Sequence, residues 1–223
     1  MEVLRGKVES VAQEMNMNWR LVDSDQRKRV VLMCSKVSHC MTDLLDRWKT
    51  GDLVCDIACV ISNHEDLRSL VEWYGIPFEY VPVDKDNKSA GFARTERLID
   101  EYRADCIVLA RYMQILPQIL CEKYRHKVIN IHHSFLPSFI GAKPYHQASR
   151  RGVKLIGATC HYVTEELDEG PIIEQDVARV SHEQTVDDLV RLGKDVEKTV
   201  LARGLRNHLE DRVLVYGNKT VVL

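Results

Sequence analysis

The rhythm between Val30 and Ile131 constrains this chain more than any other feature. Short runs that are apolar at every position alternate with stretches whose apolar residues recur at helical spacing. Val30-Val31-Leu32-Met33 precedes Met41, Leu44, Leu45 and Trp48, which share a helix face. Ile57 to Ile61 precedes Leu67, Leu70, Val71 and Tyr74; Phe78 to Val81 precedes Phe92, Thr95, Leu98, Ile99 and Tyr102. Cys106 to Ala110 and Val128 to Ile131 complete the series. Strands apolar throughout are buried on both faces, as in parallel sheets. The pattern predicts an α/β fold: a mostly parallel, twisted sheet with helices on both faces. Ligands of such sheets bind beyond the carboxyl ends of the strands, at a switch in strand order. The residues after Val81, Ala110 and Ile131 are therefore the first places to look for a site.

After Asn130 the rhythm changes. Leu155 to Cys160 and Ile172 to Val180 read as strands able to pair antiparallel through the loop between them. Thr185 to about Leu209 reads as a long helix, with Val186, Leu189, Val190, Gly193, Val196, Val200, Gly204 and Leu205 on its buried face. Glycine inside a helix costs about 1 kcal/mol against alanine, so Gly193 and Gly204 imply close packing on a neighbour. Arg212 to Tyr216, then Gly217-Asn218, then Lys219 to Leu223 reads as a hairpin. At the other end, Leu4, Val8, Val11, Ala12 and Met15 share a helix face, Asn16 to Val22 alternates like a strand, and Asp23 to Arg29 is a polar linker. The division expected is residues 1–28, a helix, a strand and a linker, and residues 29–223, the catalytic domain.

The chain has 223 residues, enough for one large domain plus a fragment, and a net charge of -2. No basic stripe marks a nucleic-acid binder. No run approaches the ~18 apolar residues of a membrane span, and the N-terminus lacks the apolar core of a signal peptide. The seven cysteines are odd in number and several sit inside apolar runs. That favours free thiols and a cytoplasmic, reducing setting over a disulfide framework. Cys55 and Cys59 lack a second pair at zinc-finger spacing, and no metal is expected.

Two polar clusters stand out. In Asn130-Ile131-His132-His133-Ser134-Phe135-Leu136-Pro137, Asn130 and His132 lie two apart at the end of a strand, so both point to the same side. An amide and an imidazole on one face can stabilise a carbonyl oxygen as it becomes an oxyanion; equally, Asn130 can cap a loop and His132 satisfy a backbone group. The second cluster runs His161-Tyr162-Val163-Thr164-Glu165-Glu166-Leu167-Asp168-Glu169-Gly170-Pro171. Acidic loops are commonly solvated turns, but Leu167 before Asp168 and Gly170-Pro171 after it suggest a constrained, partly buried carboxylate.

Taken in order, Asn130-Ile131-His132, Leu136-Pro137, His161 and Leu167-Asp168-Glu169-Gly170-Pro171 resemble the formyltransferase family that uses 10-formyltetrahydrofolate. The resemblance runs from about Arg29 to the C-terminus and implies a Rossmann-like formyltransferase fold with an antiparallel C-terminal part. Within the family the chain looks most like the deformylase branch. The similar stretches are His133 after His132, Phe139 to Ala148, Ser38-His39-Cys40, Arg111 to Leu116 and Val215 to Thr220. The resemblance implies hydrolysis of 10-formyltetrahydrofolate to tetrahydrofolate and formate, in one-carbon metabolism that supplies formate for purine synthesis. It assigns Asn130, His132 and Asp168 to catalysis and His161 to orienting Asp168. It gives Tyr112, Met113, Gln114, Ile115, Leu116, Gly141, Thr164 and Glu165 to the folate. Tyr145 and His146 are candidates to close the pocket or to bind the product carboxylate, Leu136-Pro137 would be cis, and no cofactor is needed because the folate is itself the substrate.

Two departures from the family pattern sharpen this. Glycinamide ribonucleotide transformylases carry a glycine-rich loop after the first strand, whose exposed N–H groups cradle a phosphate. Here the loop is Cys34-Ser35-Lys36-Val37-Ser38-His39-Cys40, without glycine, which leaves water as the simplest acceptor. Deformylases of this type also begin with an amino-acid-sensing ACT module, and residues 1–28 resemble only its final helix and strand, so amino-acid control is not carried over. Apolar residues at both ends suggest a homo-oligomer; no nucleic-acid or membrane partner is expected. The alternatives are a formyltransferase with an amine acceptor, a non-catalytic folate-binding protein and, more distantly, a metal hydrolase using His132, His133, His146 and His161.

Overall fold

The computed structural model describes residues 2–17, 19–23, 25–139 and 143–223. Along the chain run α1 (Glu2–Glu14), β1 (Arg29–Cys34), α2 (His39–Thr50), β2 (Asp56–Ser62), α3 (Arg68–Trp73), β3 (Phe78–Tyr80), α4 (Lys88–Glu101) and β4 (Cys106–Leu109). Then come α5 (Gln118–Lys123), β5 (Val128–His132), α6 (Pro144–Arg151), β6 (Leu155–Tyr162), β7 (Ile172–Arg179), α7 (Val186–Leu209), β8 (Val213–Tyr216) and β9 (Lys219–Val222). Among the described residues, one sheet has the order β3-β2-β1-β4-β5-β6-β7, and β8 and β9 form a separate hairpin. β1 to β5 pair in parallel, while β6 and β7 run antiparallel. The expected mixed, mostly parallel sheet and C-terminal hairpin are both present.

The doubly apolar strands explain the layers. Successive residues of a strand face opposite sides, so Val30, Leu32 and Cys34 enter one core cluster and Val31 and Met33 the other. The first cluster lies under α2 and α7, the second under α4 and α5. The chain passes from β1 outward through β2 to β3, then returns to place β4 on the other side of β1. That reversal leaves a crevice at the carboxyl ends of β1 and β4, beside β5.

α7 begins with a capping box between Thr185 and Asp188. It packs on β5, β6, β7 and α2. Its two glycines are contact points. A Cβ at Gly193 would lie 2.1 Å from the Tyr145 ring and hydroxyl, and one at Gly204 would lie 2.4 Å from Cys160 Sγ. The face differs from expectation in one respect: Val186, Val190 and Val196 are only partly buried, whereas Glu197 is fully buried. The periodicity counts apolar residues and passes over a buried carboxylate.

Two short helices, α5 and α6, lie where the sequence predicted none. Each is a loop excursion too short to show a period. Conversely, residues 19–23 form no strand. α1 buries only Ala12. Leu136-Pro137 is cis. Gly141 lies outside the described residues. All seven cysteines are free and buried. No helix among the described residues is long and apolar enough to cross a membrane.

Candidate active site

The crevice opens into a cavity of about 680 Å³. Its lining includes Asn130, His132, His161 and Asp168 together with Tyr112, Met113, Gln114, Ile115, Leu116, Thr164 and Glu165. The structure thus gathers every described candidate around one space, and Tyr145 and His146 join them.

Strand pairing builds the reactive end. Asn130 on β5 lies opposite His161 on β6, and His132 opposite Thr159. Cross-strand partners sit close enough for their side chains to meet. Asn130 Nδ2 lies 3.1 Å from His161 Nε2, while His161 Nδ1 lies 2.9 Å from the Tyr162 carbonyl. A carbonyl can only accept, so Nδ1 carries the hydrogen and Nε2 receives one from the Asn130 amide. The other Asn130 amide hydrogen is left for a ligand. Burial pushes His161 below the ordinary histidine value, in keeping with a neutral ring.

Asp168 arrives from the β6–β7 loop with a left-handed backbone, φ 60°. That conformation is costly for a non-glycine residue and clusters at functional sites. The loop is held by Gly170, where a Cβ would collide with the Tyr162 carbonyl. Asp168 Oδ1 lies 3.3 Å from His132 Nδ1 and 3.7 Å from His161 Nε2. His161 is therefore hydrogen-bonded to Asn130 and only borders Asp168. Burial works to raise the Asp168 carboxyl, but the His132 hydrogen bond and the neighbouring imidazoles outweigh it and hold it below the usual carboxylate value. His132 Nε2 is buried and has no protein partner.

One wall of the cavity is the segment after β4. Met113 and Ile115 are exposed to the cavity mouth, and the Met113 N–H donates to Ser35 Oγ at 2.9 Å. The Tyr112 side chain belongs to the core, with its hydroxyl unpartnered. Behind the reactive end, Thr159 Oγ1 donates to the Ser134 carbonyl and accepts from the Leu136 N–H, fixing the turn that follows His133.

A second polar cluster was not legible in the sequence. Glu197 on α7 is buried and accepts from the Tyr145 hydroxyl at 2.7 Å and from His39 Nε2 at 2.8 Å, with Arg111 Nε 3.6 Å away. Burial works to raise the Glu197 carboxyl, and these partners pull it below the ordinary value. His39, Cys40 and Glu197 present ligand-type atoms within 4.8 Å of one another. Both Glu197 oxygens are already engaged, Arg111 is adjacent, and burial keeps the Cys40 thiol protonated. The arrangement suits an internal ion-pair network better than a cation.

Comparison with known proteins agrees with this geometry. The formyl transferase family profile matches residues 28–205. A formyltetrahydrofolate deformylase of Corynebacterium sp. is 52% identical over 223 residues, spanning all of this chain and 78% of its own. The crystal structure of a formyltetrahydrofolate deformylase from Pseudomonas syringae superposes with a TM-score of 0.97 at 66% identity, covering 100% of this chain and 74% of its own. A glycinamide ribonucleotide transformylase from Symbiobacterium toebii is more distant, with TM-score 0.83 and 27% identity, covering 92% of this chain and 98% of its own. The chain belongs to the formyl transferase family, in its formyltetrahydrofolate deformylase branch.

Proposed function

We propose that the chain hydrolyses 10-formyltetrahydrofolate to tetrahydrofolate and formate. The observation that carries this reading is that Asn130, His132 and Asp168 line one cavity of about 680 Å³, in a chain of the deformylase branch. The flat pterin lies along Tyr112 to Leu116, with Thr164 and Glu165 opposite. Asp168, held ionised, positions a water against the formyl carbon. As the water oxygen bonds to carbon, its proton passes to Asp168 or, through it, to His132. The free Asn130 amide hydrogen takes up charge on the formyl oxygen, a contribution worth about 3 kcal/mol for one good donor. The C–N10 bond then breaks, His132 delivers a proton to N10, and the formic acid released ionises to formate.

The purified chain, mixed with 10-formyltetrahydrofolate and no amine, should release formate and tetrahydrofolate in equal amounts at a catalytic rate. Turnover only after an amine acceptor is added would establish the transferase reading instead. Binding without turnover would establish a folate-binding protein.

Formate release of this kind belongs to one-carbon metabolism and can supply purine synthesis. Seven free, buried cysteines support a cytoplasmic setting. We read residues 1–28 as the closing part of an ACT-type module, distinct from the catalytic residues 29–223. Val3, Leu4 and Val11 of α1, and Met15 just after it, are uncovered, as expected if α1 packs on further protein. A homo-oligomer is part of the reading, supported by exposed Leu214, Tyr216 and Val221 on the hairpin.

A further inference from the structure

His132 and His133 are adjacent on the chain, and the mechanism uses only the first. The second faces a different set of groups. His133 Nδ1 is hydrogen-bonded by the Arg111 guanidinium, which itself leans on Glu197. The His133 ring stacks on His132, with centroids 5.2 Å apart and planes 27° from parallel, and tilts against Tyr145 at 6.1 Å. Arginine has no acceptor and stays charged. His133 Nδ1 must therefore be the acceptor, and the ring carries its hydrogen on Nε2.

We propose that Arg111 is a positioning residue for hydrolysis: anchored on Glu197, it locks His133 as a neutral ring that holds His132 against Asp168. This rests on the hydrolase reading above. Three further observations support it. Arg111 adopts a left-handed backbone, φ 65°, at the carboxyl end of β4, which turns the chain there beside the cavity. The Arg111 side chain is mostly withdrawn from solvent, its Nε has no hydrogen-bond partner, and the Glu197 carboxylate 3.6 Å away supplies the counter-charge. Gly193 leaves room for Tyr145 to cross α7 and complete the Glu197 hydrogen bonds.

The consequence concerns charge beside His132. The groups facing His133 are Arg111 after β4, Glu197 on α7, Tyr145 on α6, His132 on β5 and Asp168 in the β6–β7 loop. Burial first, then Arg111, push His133 down to about 4; Glu197 and Asp168 act in the opposite direction. A protonated His133 would set a second cation against His132 during proton delivery. Burial and, after it, Arg111 act against that protonation.

The test begins with the unsubstituted protein. Nitrogen-15 NMR of the histidine side chains should show His133 with its hydrogen on Nε2 and no titration between about pH 5 and about pH 8. In Arg111→Gln, kcat should fall by about 10- to 100-fold, the scale of a misplaced reacting group, while KM for the folate changes less than about twofold. The acid limb of kcat should move to higher pH, because His133 regains a value nearer that of a free imidazole. Arg111→Lys keeps the cation but not the planar fork, and should recover the acid limb while kcat stays reduced. A wild-type His133 protonated on Nδ1 would overturn the proposal, as would a loss of kcat in Arg111→Gln without any change in His133 tautomer or titration. If Arg111→Gln does not fold, the wild-type spectrum still decides. Hydrolysis by the unsubstituted chain is scored separately, so its failure would count against the proposed function and not be confused with these outcomes.

Discussion

His132 and His133 look into two polar clusters of different construction. The cluster around His132 draws on two short stretches, Asn130 to His132 and His161 to Asp168, brought together by one pair of antiparallel strands. The cluster around His133 draws on α2, the loop after β4, α6 and α7, through His39, Arg111, Tyr145 and Glu197. In the first, an amide hydrogen and an imidazole nitrogen are left without protein partners, so that a substrate can take them. In the second, both oxygens of the central carboxylate are occupied by the protein itself. In the reading proposed above, the first cluster reacts and the second holds it.

Removing a member of the reacting cluster should have the largest effect on rate. Asp168→Asn should lower kcat by about 10²- to 10⁴-fold, the range for a placed acid–base group, with folate KM little changed. Steady-state kinetics decide it; near-wild-type kcat would break the assignment. Removing the centre of the holding cluster should show first in stability. Glu197→Leu leaves the partly buried Arg111 charge without its carboxylate; loss of one partner of a fully buried pair costs about 3–5 kcal/mol, and the loss here should approach the lower end. Urea unfolding should show that loss, and an unchanged midpoint would mean the network carries little.

A smaller effect is expected at a residue with no chemistry. Gly193→Ala forces its Cβ into Tyr145 and should cost about 1–3 kcal/mol, as overpacking does. It should also lower kcat, because Tyr145 must leave Glu197. A variant as stable and active as wild type would show that the contact is slack.

A further effect, spread over both regions, is expected on pH dependence. Burial pushes His133 and His208 down to about 4 each, helped by Arg111 and Lys28 respectively. An unfolded chain protonates both near about 6.5. The unfolded state therefore binds more protons between these values, so stability is full above about pH 6.5 and falls as pH drops toward about 4. Glu197, held below the ordinary carboxylate value, loses its contribution only at lower pH still. Thermal melts should decline steadily from about pH 7 to about pH 5; a flat profile would mean these histidines are solvated.

The two clusters also differ in how far the sequence revealed them. The strand-end position of Asn130 and His132 followed from an apolar run and a spacing of two, and the parallel sheet followed from runs apolar at every position. Both are local patterns. Glu197 sits among apolar residues on α7, where a periodicity search reads a charged residue as solvent-facing. Its partners come from positions 39, 111 and 145, and no local pattern links them. The glycine at 193 was the one local hint, since it announced a close neighbour without naming Tyr145. Residues 19–23 show the converse error: alternation suggested a strand, but they pair with no strand among the described residues. Long-range polar contacts and the availability of a partner strand are properties of the fold, not of any window of sequence.

The measurement that bears most directly on the whole account is hydrolysis of 10-formyltetrahydrofolate in oxygen-18 water, with no amine present. The account predicts that each formate released carries one solvent oxygen, formed in step with tetrahydrofolate, and that Asp168→Asn nearly abolishes its formation. Formate that appears only after an amine is supplied, or at an undiminished rate from Asp168→Asn, would contradict it.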